Sequence, residues 1–163
     1  LQKDKLELIQ QIEKKVSQFN LELTDGAEDK DIEIFVSQSL DRFNYKIPFV
    51  YIEFLKIVNG IFYNGIEIYA TNEIHLNENV ILEGFIEANE IWRDDEDKKK
   101  YIVFAESGDA LYVHNLTNNE YEYVDRITLD IIESKQTCEE LFDLILNYTI
   151  SLSFSLTSFR NRF

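Results

Sequence analysis

The period of the hydrophobic pattern changes at Gly60, and that change limits the folds open to this chain. Before it, apolar residues recur every three or four positions. Leu6, Ile9, Ile12, Val16 and Phe19 predict an amphipathic helix over residues 4–19. A second helix carries the stripe Ile32, Phe35, Val36 and Leu40, with Thr24, Asp25 and Gly26 as the turn that caps it. Pro48 suits the first turn of a third helix, where its missing N–H would have had no partner. Phe49, Ile52, Phe54, Leu55 and Val58 then face a core, and Asn59 with Gly60 stops the helix in a left-handed cap.

After Gly60 the texture is aromatic and β-branched. Residues 65–69 alternate, which puts Ile66 and Ile68 on one face of a strand. Residues 83–92 read as a short helix, and 93–100 as a charged, solvated connection. Residues 101–105, 110–114 and 121–124, joined by turns at 107–109 and 115–119, predict a three-stranded meander, and 127–133 can add a strand. A helix over 138–148 turns Leu141, Phe142, Ile145 and Leu146 inward. The stretch 152–156 alternates with a period of two and is compatible with an added strand, a helix continuation or a sticky end. No repeat or linker interrupts the chain. The expected fold is therefore one α+β domain over residues 1–163: an antiparallel sheet of about four to six strands packed with N-terminal helices and a C-terminal helix, with 149–163 as an extension.

Charge narrows the function. Thirty-one acidic residues against sixteen basic give a net −15, and the excess is local. Residues 57–147 hold 20 acids and 6 bases, whereas 1–56 hold 11 and 8. A field of that sign repels nucleic acid and anionic lipid and steers cationic partners inward. The expected partner is a basic protein, not nucleic acid and not a membrane. No apolar run reaches the length of a membrane span, and the chain does not open as a secretory leader does. A single cysteine, Cys138, permits no internal disulfide, so a reducing cytoplasm is expected.

The motifs of enzymes fail on inspection. Gly60 and Gly65 have the spacing of a phosphate loop, but Ile66 and Glu67 stand where Lys and Ser or Thr would be needed. His75 and His114 have no ligand spacing around them, and Asp94 to Asp97 lacks the glycine and terminal glutamate of a calcium loop. The expectation is a binding protein with no catalytic residue, metal or cofactor.

The pattern Pro48–x–x–Tyr51–x–x–Phe54–Leu55–x–x–x–Asn59–Gly60 resembles the signature helix of the SUKH superfamily, and residues 64–69 follow it as that family's first strand does. Residues 87–92, 101–107 and the pair Tyr112 and Val113 are similar to its YrhA-like branch. The resemblance runs from about residue 25 to 146. Ala105 stands where a glycine is expected before Glu106 and Ser107, and the 149–163 extension exceeds the usual ending. Bacterial SUKH proteins are mostly immunity proteins that bind and neutralise toxins, many of them nucleases with a cationic surface. The resemblance thus implies a cognate toxin as the basic partner. Asp94, Asp95, Glu96 and Asp97, with Glu106, Asp109, Glu120 and Glu122 at the ends of the meander, are the candidate partner-binding residues; 106–125 contains no Lys or Arg. The alternatives are a regulatory or scaffold module for an endogenous protein, and a hydrolase that uses carboxylates and a metal near the two histidines.

Overall fold

In the computed structural model, which describes residues 1–151, three helices precede the sheet: α1 (Lys3–Ser17), α2 (Asp29–Phe43) and α3 (Phe49–Ile57). Strands β1 (Ile61–Tyr63) and β2 (Ile66–Ile68) form a hairpin. The chain then leaves the sheet for a second hairpin, β3 (Ile74–Asn77) and β4 (Val80–Leu82), and for α4 (Phe85–Trp92). It returns through β5 (Tyr101–Ser107), β6 (Ala110–Asn115), β7 (Glu120–Asp125) and β8 (Ile131–Lys135), and closes with α5 (Cys138–Ser151). The main sheet has the order β1-β2-β5-β6-β7-β8, and every pairing in it is antiparallel. This is the expected α+β architecture, with six strands in the sheet and the β3–β4 hairpin in addition.

The core lies between the helices and one face of the sheet, and Tyr51 is at its centre. Its ring meets Phe35, Phe54, Phe85, Phe104 and Phe142 at centroid distances of 5.3–6.3 Å. Each such ring stabilises the fold by about 2–3 kcal/mol through burial, plus about 1 kcal/mol per well-oriented aromatic pair. The β5–β6 register shifts between Val103 and Ala105, a bulge beside Phe104 that breaks the strand's alternation. The Tyr51 hydroxyl donates to the Tyr69 carbonyl at 2.6 Å, so the ring carries no unpaired polar atom into the core.

The residues of the 48–60 pattern have structural roles. Pro48 is the N-cap of α3, and Phe54 and Leu55 are fully buried. Asn59 accepts the Thr71 N–H at 2.9 Å and donates to the Thr71 hydroxyl at 3.0 Å, which ties the end of α3 to the segment after β2. Gly60 sits at φ +82°, and a Cβ there would lie 2.8 Å from the Ile68 carbonyl. Gly26 admits the chain against the end of α3: a Cβ would lie 2.0 Å from the Lys56 carbonyl.

Several local expectations are corrected. Helix α1 ends at Ser17, and Phe19 is exposed. Residues 24–26 do not cap α2, whose N-cap is Glu28; Asp25 and Ala27 instead pair through the backbone with Asn59 and Leu55. Leu40 and Phe49 are exposed, since the stripe that reaches the core is Ile32, Phe35 and Ser39 in α2 and Val50, Tyr51, Phe54 and Leu55 in α3. Helix α3 stops at Ile57 with Val58 extended, so Asn59 and Gly60 shape the turn beyond the helix and are not its cap. The last strand is shifted to Ile131–Lys135, and the residues before it form a turn. Helix α5 runs on to Ser151, taking in residues 149–151 of the extension, whereas 152–156 lies outside the described residues.

Candidate functional site

Antiparallel partners point to the same side of a sheet, and one row of them crosses all six strands on the face away from α5: Phe62, Glu67, Glu106, Leu111, Val124 and Ile131. Its ends, Phe62 and Ile131, are exposed, and its middle is covered. A second row, Val103, Val113, Glu122 and Ser134, runs beside it.

Trp92, at the end of α4, is half-buried and packs against the core. Its indole N–H donates to the Tyr69 hydroxyl at 2.8 Å. The Arg126 guanidinium, from the turn after β7, lies 4.8 Å from the centre of its ring and donates to the Ser107 carbonyl at 2.8 Å. Arg126 is also 3.6 Å from the Glu106 carboxylate. Helix α4 is held there by Asn89, fully buried, which donates to the Val103 carbonyl and accepts the Val103 N–H, both at 2.8 Å. That amide takes the ladder position β2 leaves empty, because β2 pairs only with Ala105–Ser107.

Carboxylates crowd the same side. Glu67 accepts the Glu83 N–H at 2.7 Å. Burial pushes the Glu67 carboxyl above its ordinary range despite that bond, and the charges of Glu106 and Glu83 push it further. Glu83 is raised too, by burial first and then by Glu73, Glu106 and Glu87. Among the described residues, no group of three His, Cys, Asp or Glu side chains has a metal-holding arrangement. His75 is exposed beside Glu73. His114 is buried: it donates from Nε2 to Asn119 and accepts the Tyr45 hydroxyl at Nδ1, both at 2.9 Å. Cys138 is buried at the start of α5, and burial pushes its thiol well up.

Seven of the eight candidate acids fall into two groups at opposite ends of β5 and β6. Asp94, Asp95, Glu96, Asp97 and Glu120 lie at the end where β5 starts; Glu106 and Asp109 lie at the other, about 20 Å away by strand rise. Two acids of the first group are ion-paired. Lys98 pairs with Asp95 at 2.7 Å, Lys99 pairs with Glu96, and Asp94 borders a shallow depression lined by Arg42, Arg93 and Lys99. Glu120 accepts from Ser134 and Gln136. Glu122 departs from the set altogether: it is fully buried, its carboxylate held by Asn115 at 3.1 Å and Asn118 at 2.8 Å, and so presents nothing to a partner.

All six bases of residues 57–147 are engaged within the chain. Arg93 donates to the Lys99 and Tyr101 carbonyls and covers Phe43; Lys100 lies over Tyr101; Lys135 pairs with Glu133. Lys98, Lys99 and Arg126 have the partners already named. Tyr69, Trp92, Arg126, Glu67 and Glu83 were not legible as site residues, since a pairing across β2 and β5 leaves no spacing in the sequence. No helix among the described residues is long and apolar enough to cross a membrane. No protein-family model matches the chain, and a search of curated proteins finds no match.

Proposed function

We propose that this chain is a non-enzymatic acidic binding protein of SUKH type that captures a basic protein on the sheet half, and that the partner is a cognate toxin it neutralises in the cytoplasm. The observation that carries the reading is the charge imbalance of residues 57–147, where 20 acids face 6 bases and each base is already held by the chain itself. Acids left over in this way set up an uncompensated negative field, which accelerates encounter with a cationic surface. The resemblance of residues 48–60 to the SUKH signature supplies the toxin.

The test begins with a pull-down from the native host, followed by co-expression of the captured protein with and without this chain. The capture is expected to weaken steeply between about 50 mM and about 500 mM salt, as screened charges require. Asp97→Lys with Asp109→Lys, one change at each end of the meander, is expected to slow association more than dissociation. Equal capture at both salt concentrations, or a captured protein whose toxicity this chain does not relieve, defeats the proposal.

A further inference from the structure

The most exposed large apolar residue among those described is Ile127, at 88%, and it stands on one of the most tightly bonded turns of the chain. Asp125 accepts the N–H groups of Ile127 and Thr128 at 2.8 Å each, its own N–H reaches the Asp130 carbonyl at 2.9 Å, and Leu129 donates back to the Asp125 carbonyl at 3.1 Å. Leu129 is bent into the left-handed region at φ +61° and packs against the core, an arrangement a leucine adopts only where its surroundings impose it. The turn therefore holds Ile127 outward in a fixed position. Ile131 and Ile132, at 55% and 56% exposure, follow directly on the edge strand β8.

Around Ile127 the acids outnumber the bases, Arg126 being the one base of the turn. Asp125 and Asp130 belong to the turn, and the Asp109 carbonyl accepts the Arg126 N–H at 2.9 Å, which brings the β5–β6 turn alongside. Arg126 itself is directed away, to Trp92, Glu106 and the Ser107 carbonyl. An apolar centre with a charged rim is the anatomy of a protein interface, and pre-organised anchors lose little entropy on binding.

We propose that the β7–β8 turn is the anchor of the partner interface: Ile127, Ile131 and Ile132 enter an apolar cleft of a basic protein, and Asp109, Asp125 and Asp130 meet cations at its margin. This rests on the basic-partner reading above and gives it a place. It moves the interface away from the acids at 94–97, of which Asp95 and Glu96 are ion-paired, to the opposite end of the meander.

The experiment is site-resolved. A photo-reactive benzoylphenylalanine is placed at position 127 in one full-length protein and at position 49, also exposed, in another. Both are irradiated in extract of the native host, and the joined peptides are identified by mass spectrometry. The expected result is a basic protein joined at 127 and not at 49, with Ile127→Ser weakening its binding about tenfold or more while the circular dichroism of the variant is unchanged. A basic protein joined at 49 and not at 127 overturns the anchor and leaves the basic-partner reading standing. A neutral or acidic protein at 127 overturns both. A second copy of this chain at 127, or no adduct there, overturns the anchor.

Discussion

Glu67 and Glu106 stand directly opposite each other on β2 and β5, two carboxylates on one side of the sheet, with the Arg126 guanidinium 3.6 Å from Glu106. Like charges in that position weaken strand pairing by up to about 1 kcal/mol. The Glu67 carboxyl is raised in the folded state, by burial more than by its neighbour, so the folded protein holds that proton more tightly than the unfolded chain does. Stability at this residue is therefore greatest at low pH and falls as pH rises through the raised value.

Glu67→Gln keeps the oxygen that accepts the Glu83 N–H and removes the charge. The variant is expected to be more stable than the parent by about 0.5–1 kcal/mol at neutral pH. The advantage should shrink towards about pH 4, as the raised Glu67 carboxyl of the parent takes up its proton and the charge difference disappears. Urea unfolding at the two pH values measures it; an equal gain at both would remove the charge from the explanation.

Asn89→Ala tests the graft of α4 onto the sheet. The substitution leaves the N–H and carbonyl of Val103 without the partners they have now, in a place with no exposure to water. Two orphaned backbone groups cost about 2–5 kcal/mol together. A loss below 1 kcal/mol in equilibrium unfolding would mean that another group takes over the bonds.

Most of the architecture was legible because it depends on period. The stripes of α1 and α5, the alternation of β2 and the turns of the meander follow from which residues are apolar and how far apart they stand. The errors share a cause: segments that owe their form to distant partners. Residues 24–26 follow the end of α3, and the β3–β4 hairpin, with its half-exposed Ile74, Leu76 and Ile81, has neither a continuous apolar run nor clean alternation to announce it. The acidic excess was legible in composition, and its layout was not. Glu122 reads as a solvent-facing strand acid until Asn115 and Asn118 are seen to enclose it, and Arg126 lies one residue beyond the stretch that contains no base.

His114 gives the opposite pH response. Burial holds its imidazole below the ordinary value, against the raising influence of Asn119 and Glu122, so the unfolded chain takes up the proton first. Stability is lost as pH falls from about 6.5 through the lowered folded value. Protonation would also put a second N–H at Nδ1, where the Tyr45 hydroxyl now donates. His114→Gln should flatten the decline in unfolding free energy between about pH 7 and about pH 5.5, whatever its effect on stability at neutral pH. An unchanged slope in the variant would assign the decline to other groups.

Arg126 connects the fold to the proposed function, and its removal separates the two. The guanidinium lies over the ring of Trp92, the chain's one tryptophan, and is a third exposed. Arg126→Ala should cost about 1–2 kcal/mol, combining a cation–π contact worth about 0.5–1 kcal/mol with the bond to the Ser107 carbonyl. Trp92 fluorescence, which reports this one position, should shift to the red as water reaches the ring. Arg126→Lys retains the charge but not the forked geometry, so it should recover little of the stability. Association with a basic partner should respond differently: Arg126→Ala makes the outer face one charge more negative and should speed encounter at low salt, whereas Arg126→Lys should leave the rate near that of the parent. Slower association with the alanine variant, despite its added negative charge, would show that Arg126 supports the interface through structure rather than masking it through charge.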